Sequence, residues 1–228
     1  MKSYGQYCPI AKAVEVLGER WSLLVMRELL IGSTHFNDIA RGLPGISRSL
    51  LSKRLRQLTA AGMVERVDGA YALTPAGAEL QQFVFGLGDW AARWILNDPE
   101  PDELDPDLLM WWGHIRLDTA SLPDRRVVLE FRFRDERRRY WIVVEDVGCS
   151  VCLHDPGFGV DAVVTTDLLT LHQLWHGRDS WTVAQREDRV SFWGTPAIVR
   201  RLPEVLTLRT LADLATTDDP PGAPRLVP

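Results

Sequence analysis

Residues 46–61, ISRSLLSKRLRQLTAA, carry the most informative spacing in the chain. Ile46, Leu50, Leu51, Leu55 and Leu58 recur at helical intervals and form one apolar stripe. The other side presents Arg48, Ser49, Ser52, Lys53, Arg56 and Gln57, with three cations and no carboxylate. A solvated helix face ordinarily mixes charge signs, because oppositely charged side chains one turn apart stabilise each other. A face of one sign repels itself, and a polyanion relieves that repulsion. The chemistry is non-covalent: cations bind phosphates, while Ser, Arg and Gln hydrogen-bond to base edges. Ser47 is placed to cap this helix. Arg66 adds a further cation close by in the chain. Within residues 41–66 there are six basic residues (Arg41, Arg48, Lys53, Arg54, Arg56 and Arg66) against one acid, Glu65.

Other reactive residue types are weaker candidates. Cys8 precedes the first helical pattern, and a helix N-terminus favours the thiolate. A redox-sensing thiol and a small packing residue are both open readings of it. Cys149 and Cys152 have the spacing of a metal or redox pair, but in a strand they face opposite sides, and no second cysteine pair completes a zinc site. His172 and His176 lie one helical turn apart, yet Gln173 stands where a hydrolytic zinc motif needs Glu. No phosphate-cradling glycine loop or nucleophile elbow occurs. The sequence therefore points to no enzyme, no metal and no cofactor. Three cysteines, an odd count, argue against a disulfide framework.

The elements that must hold the basic face can be read around it. Helical patterns cover 10–18, 20–31 and 35–41, closed by Gly18, Gly32 and Gly42. The turn GLPG then leads into the basic helix, the order of a helix-turn-helix, whose second helix enters the major groove. Residues 63–67 and 70–74 flank Asp68-Gly69, a hairpin signal in the position of a wing with Arg66 beside its tip. A long helix is expected over 75–96. Leu80, Phe83, Val84, Leu87, Trp90 and Trp94 give it an apolar stripe suited to a homodimer interface.

These motifs have a specific likeness. Cys8-Pro9, LGERWSLLVMREL (17–29), GSTHFNDIARGLPGIS (32–47), LLSKRLRQLTAAGMVER (50–66) and YALTPAGAEL (71–80) resemble the HxlR family of winged-helix regulators. The likeness runs nearly continuously over residues 7–95. It implies a transcriptional regulator that binds double-stranded DNA as a homodimer. It also implies an oxidant-sensing role for Cys8, since some family members sense through a cysteine at the matching position. The hairpin here is shorter than is usual in the family.

The second half reads differently. Strands are expected at 127–133, 140–145, 149–153, 161–165 and 190–194, with helices at 167–176 and 196–202 and a closing segment at 206–214. The expected fold class is α+β throughout: a mostly α winged helix-turn-helix domain with a β-hairpin wing, then an α+β domain with an antiparallel sheet and segregated helices. DAVVTTDLLTLHQLWHG (161–177) and RVSFWGTPAIVRRLPEVL (189–206) are similar to the sterol-carrier-protein type 2 domain. That resemblance implies an apolar tunnel for a small hydrophobic ligand. Phe131, Phe133, Trp141 and Trp175 are expected in its wall.

Charge and composition divide the chain. The net charge is −5, but residues 1–98 hold 11 basic against 9 acidic side chains, and residues 99–228 hold 15 against 22. The segment NDPEPDELDPD (97–107) has three prolines, six acids and one leucine, which cannot supply a core. The domains are set at 1–98 for DNA binding and dimerisation, 99–106 for an acidic linker, 107–215 for the sterol-carrier-like domain, and 216–228 for a flexible tail with four prolines. No apolar run approaches the roughly 18 residues of a membrane span, and no secretory pattern opens the chain. A cytoplasmic protein without a membrane partner is expected. The competing class is a carrier of lipid or another hydrophobic ligand, whose winged module serves protein contacts; the acid-free face of 46–61 argues against it.

Overall fold

A computed structural model of the chain describes residues 3–95, 97–100, 103–145 and 148–208. The expected tail at 216–228 and the closing segment beyond 208 lie outside the described residues. The chain forms two compact units that divide after Ile95.

The first unit runs α1 (Pro9–Leu17), α2 (Ser22–Leu30), α3 (Phe36–Arg41), α4 (Arg48–Ala60), β1 (Val64–Val67), β2 (Ala70–Leu73), α5 (Pro75–Ala78) and α6 (Gln81–Trp94). Its core joins Val25, Met26 and Leu29 of α2, Ile39 of α3, and Leu51, Leu55 and Leu58 of α4 to Val64 of β1. The apolar spacing of α4 thus becomes its packing face, and truncating any of these leucines is expected to cost about 2–5 kcal/mol. Asp68 and Gly69 both take positive φ, 50° and 86°, and join β1 to β2 with Val67 opposite Ala70. This two-residue turn matches the strand twist. The short α1 buries no residue, so Ile10 and Val14 of its apolar stripe are exposed. Trp21, between α1 and α2, has φ 79°, a left-handed conformation that costs a bulky residue about 1–3 kcal/mol.

The continuous helix expected over 75–96 is instead two helices broken at Glu79–Leu80. The reason is a close approach: a Cβ on Gly77 would lie 2.0 Å from the Met63 carbonyl oxygen, so α5 is held against the hairpin. The Leu80 N–H then donates to the Gly77 carbonyl at 3.2 Å, a tightened turn from which α6 restarts.

The second unit contains α7 (Pro106–His114), β3 (Val127–Phe133), β4 (Arg139–Glu145), β5 (Gly148–Cys152), β6 (Ala162–Thr166), α8 (Leu168–Trp175), α9 (Trp181–Arg186), β7 (Ser191–Gly194), α10 (Pro196–Val199) and α11 (Leu202–Val205). The sheet order is β5-β4-β3-β6-β7. This corrects the antiparallel sheet expected from the sequence, because β3 and β6 pair in parallel, with Leu129 opposite Ala162. After the β3–β4–β5 meander the chain returns through residues 153–161 to the free side of β3. It re-enters the sheet in the direction of β3, so the pair is parallel. Val128 of β3 meets Asp161 of the returning segment here, the Asp161 N–H donating to the Val128 carbonyl at 2.9 Å.

Period-two alternation sorts the side chains of this sheet. Leu129, Phe131, Phe133, Tyr140, Ile142 and Val144 share the main core with Leu171, Leu174 and Trp175 of α8. Val128, Trp141, Val143 and Cys152 form a separate cluster. The ligand wall of Phe131, Phe133, Trp141 and Trp175 is therefore divided: Trp141 stands opposite Glu130, not Phe131, and projects from the other face. Trp175 fills the main core closely, since a Cβ on Gly113 would lie 2.3 Å from its indole ring. Cys149 and Cys152 fall on opposite faces of β5, one against each cluster.

Parts of the acidic segment enter this unit. The Asp98 carboxylate accepts from Gln173 of α8 and from Arg178 just beyond that helix, each at 2.9 Å. Asp105 caps α7 by accepting from the Asp107 and Leu108 N–H groups. The buried Tyr140 hydroxyl donates to Asp107 at 2.6 Å. Desolvation, with the Asp107 carboxylate adding to it, pushes that phenol well above its ordinary pKa. No helix among the described residues is long and apolar enough to cross a membrane.

Candidate nucleic-acid interface

The exposed side of α4 follows from how its other side packs. With Leu51, Leu55 and Leu58 at no more than 1% exposure, the helix cannot rotate without opening the core. Ser47 caps it, its Oγ accepting from the Leu50 N–H at 3.2 Å. Beyond the cap, Arg48, Ser49, Lys53 and Arg56 are exposed, and Ser52 and Gln57 are half-buried. Lys53 and Arg56 take part in no ion pair among the described residues. Arg48 is partly steadied by α3: its Nη2 donates to Asn37 Oδ1 at 2.9 Å and its guanidinium lies 5.0 Å from the centre of the Phe36 ring. On the hairpin, exposed Arg66 sits 5.7 Å from the centre of the Tyr71 ring.

One cation in the basic window is not at the surface. Arg54 projects beside the leucine stripe, only 7% exposed, and pairs with Glu19 at 3.0 Å. Counting charges along the sequence therefore overstates the basic surface by one. Nearby, Arg27 and Glu28 form a second internal pair at 2.7 Å, and Arg27 Nη2 also donates to the Gly42 carbonyl at 2.8 Å. That bond ties α2 to the turn between α3 and α4. Burial lowers the Arg27 pKa, and the Glu28 carboxylate partly opposes that shift. The helical spacing puts Glu28 on the apolar side of α2, but the tie from Arg27 to Gly42 joins residues 15 apart and has no local sequence signal.

The expected dimer residues divide into two groups. Leu80 and Val84 pack on the first unit's own core, and Phe85 is buried at 3% exposure. Phe83, Leu87, Trp90 and Trp94 are exposed at 65%, 50%, 46% and 75%. Cys8 is the N-cap residue of α1 and half-buried, beside a groove of about 230 Å³ lined by Tyr7, Cys8, Pro9 and Lys12. In the second unit, the His172 and His176 rings stack at 4.1 Å, and burial, with His176 and Arg178 nearby, brings His172 down to about 4.

The family model described as HxlR-like helix-turn-helix matches residues 16–99. The uncharacterized HTH-type transcriptional regulator YvaP of Bacillus subtilis is 36% identical over 108 residues, spanning 44% of this chain and 96% of its own length. The uncharacterized HTH-type transcriptional regulator Rv3095 of Mycobacterium tuberculosis is 37% identical over 100 residues, 41% of this chain, and the chain spans 61% of that relative's length. Among solved structures, quinone-bound YodB from B. subtilis is 34% identical, with a TM-score of 0.35, over 38% of this chain and 99% of that one.

The free cations on α4 give a direct expectation. Lys53→Ala and Arg56→Ala should each weaken DNA binding severalfold, with unfolding curves unchanged, because neither side chain contributes to the core. Fluorescence anisotropy on a labelled duplex, paired with urea denaturation, measures both. Unchanged affinity in both variants would move the DNA surface off α4.

Proposed function

The chain belongs to the HxlR-like helix-turn-helix family, and on that premise we propose that it is a homodimeric, sequence-specific transcriptional repressor answering to a hydrophobic effector. The observation that carries the DNA-binding part is the outward face of α4, with Arg48, Lys53 and Arg56 exposed and no carboxylate among them. In this reading α4 lies in the major groove. Ser49, Ser52, Lys53, Arg56 and Gln57 face base edges and phosphates, Ser47 and Arg48 lie at the helix entry, and Arg66 reaches the adjoining backbone.

Homodimerisation is supported by the exposed aromatic side of α6. Phe83, Leu87, Trp90 and Trp94 are large apolar residues left in water, and Ile10 and Val14 on α1 are exposed as well. Apolar surface of this extent on one unit marks an interaction site. Two copies present two reading helices to two half-sites. Leu87→Glu should shift the protein toward monomer by placing a charge where water is excluded. Analytical ultracentrifugation at low concentration measures this, and an unchanged dimer would place the interface elsewhere.

The effector is proposed for the second unit. Its support is the likeness of residues 161–177 and 189–206 to sterol-carrier-type domains, together with one unpaired group. Trp175 is 3% exposed, and its Nε1 donor has no hydrogen-bond partner among the described residues. A buried donor without a partner calls for an acceptor. An apolar molecule with a carbonyl or carboxylate head would supply one beside Phe131 and Phe133. Intrinsic tryptophan fluorescence titrated with fatty acids should saturate, and Trp175→Phe should weaken that binding severalfold while keeping the ring's bulk. No saturable change with any fatty acid would remove the effector from the account.

A further inference from the structure

Arg54 differs from the other cations of α4 in where its donors go. Nε donates to the Arg20 carbonyl at 2.8 Å, Nη2 pairs with the Glu19 carboxylate at 3.0 Å, and Nη1 donates to Gln57 Oε1 at 2.7 Å. The first two partners belong to the α1–α2 joint, where the left-handed backbone of Trp21 turns the chain. The guanidinium is thus fixed by the scaffold on one side. On the other it grips a half-buried side chain of α4, one turn along the helix.

The chemistry of that grip sets the orientation of Gln57. A guanidinium has donors and no acceptor, so the amide atom facing it must be the oxygen. The Nε2 amino group is left as the end that can meet a ligand. An unrestrained glutamine pairs with adenine through both amide atoms, accepting from N6 and donating to N7. With Oε1 committed to Arg54, that two-bond fit is weakened. Guanine presents two acceptors, O6 and N7, in the major groove, and a lone amino donor suits them.

The geometry points to Arg54 as a positioning residue that sets the base preference of Gln57, presenting an amide N–H to a guanine edge, and not as a phosphate contact. This rests on α4 being the reading helix. Thereafter each substitution has a distinct consequence. In Gln57→Glu the carboxylate keeps its bond to Arg54 and presents an acceptor, which suits the cytosine amino group. In Arg54→Lys the ammonium lacks the fork that reaches Arg20, Glu19 and Gln57 together, so the amide is released.

The test is selection of bound sequences from a randomised duplex pool with the full chain. The wild-type protein should enrich guanine at one position in each half-site. Gln57→Glu should enrich cytosine there, and Arg54→Lys should let adenine in with about a tenfold loss of preference at that position only. If Arg54→Lys lowers affinity for all sequences alike and leaves every preference intact, its role is purely structural and the inference is overturned. Should Arg54→Lys fail to fold, Gln57→Glu decides alone: an unchanged selected sequence overturns the inference. Binding of the pool by a Lys53→Ala/Arg56→Ala double variant at wild-type strength would instead overturn the underlying reading of α4.

Discussion

The rotation of α4 about its own axis is fixed by three leucines. Leu51, Leu55 and Leu58 are essentially inaccessible, packed with Val25, Met26 and Leu29 of α2. Successive residues of a helix point about 100° apart, so slipping the pattern one position forward, to residues 52, 56 and 59, would bury Arg56 in an apolar core. The same constraint that forms the core therefore exposes a face with cations and no acid. Around it, the Arg27–Glu28 pair holds the turn that precedes the helix, and Arg54 holds the joint between α1 and α2. The two buried charges, Glu28 and Arg54, each have an oppositely charged partner, the condition under which a buried ion is tolerated.

The net acidity of the chain does not oppose this reading, because charge acts through its distribution. The excess acid lies in residues 99–228, where 22 acidic side chains face 15 basic ones. Many of those acids are committed within the second unit. Asp105 caps α7, Asp107 accepts from Tyr140 and Arg138, and Glu130 pairs with Arg132 and Arg139. The cations left unpaired on α4 are thus the ones available to phosphates.

Much of the first unit was legible because its signals are local. The leucine spacing, the Ser47 cap and the Asp-Gly turn each act over a few residues, and each forms the expected element. The inward course of Arg54, which the charge count over 41–66 does not distinguish from its neighbours, depends on a carbonyl 34 residues away. The break between α5 and α6 depends on Gly77 meeting Met63, also a tertiary contact. In the second unit the strands were legible, but their order and register were not. The parallel β3–β6 pair and the separation of Trp141 from Phe131 are both consequences of pairing between distant segments. Helix α7 was missed because its Asp105-Pro106 start sits inside an acidic, proline-bearing run that reads as linker.

The account turns on α4 meeting a polyanion through its unpaired cations, and counterion release measures that directly. The affinity of the full chain for a selected duplex should be followed across a range of salt concentrations. If a dimer neutralises roughly six to eight phosphates, log affinity should fall against log salt with a slope of about −5 to −7. A slope near zero would contradict the account, because binding would then owe nothing to the cationic face that the leucine packing exposes.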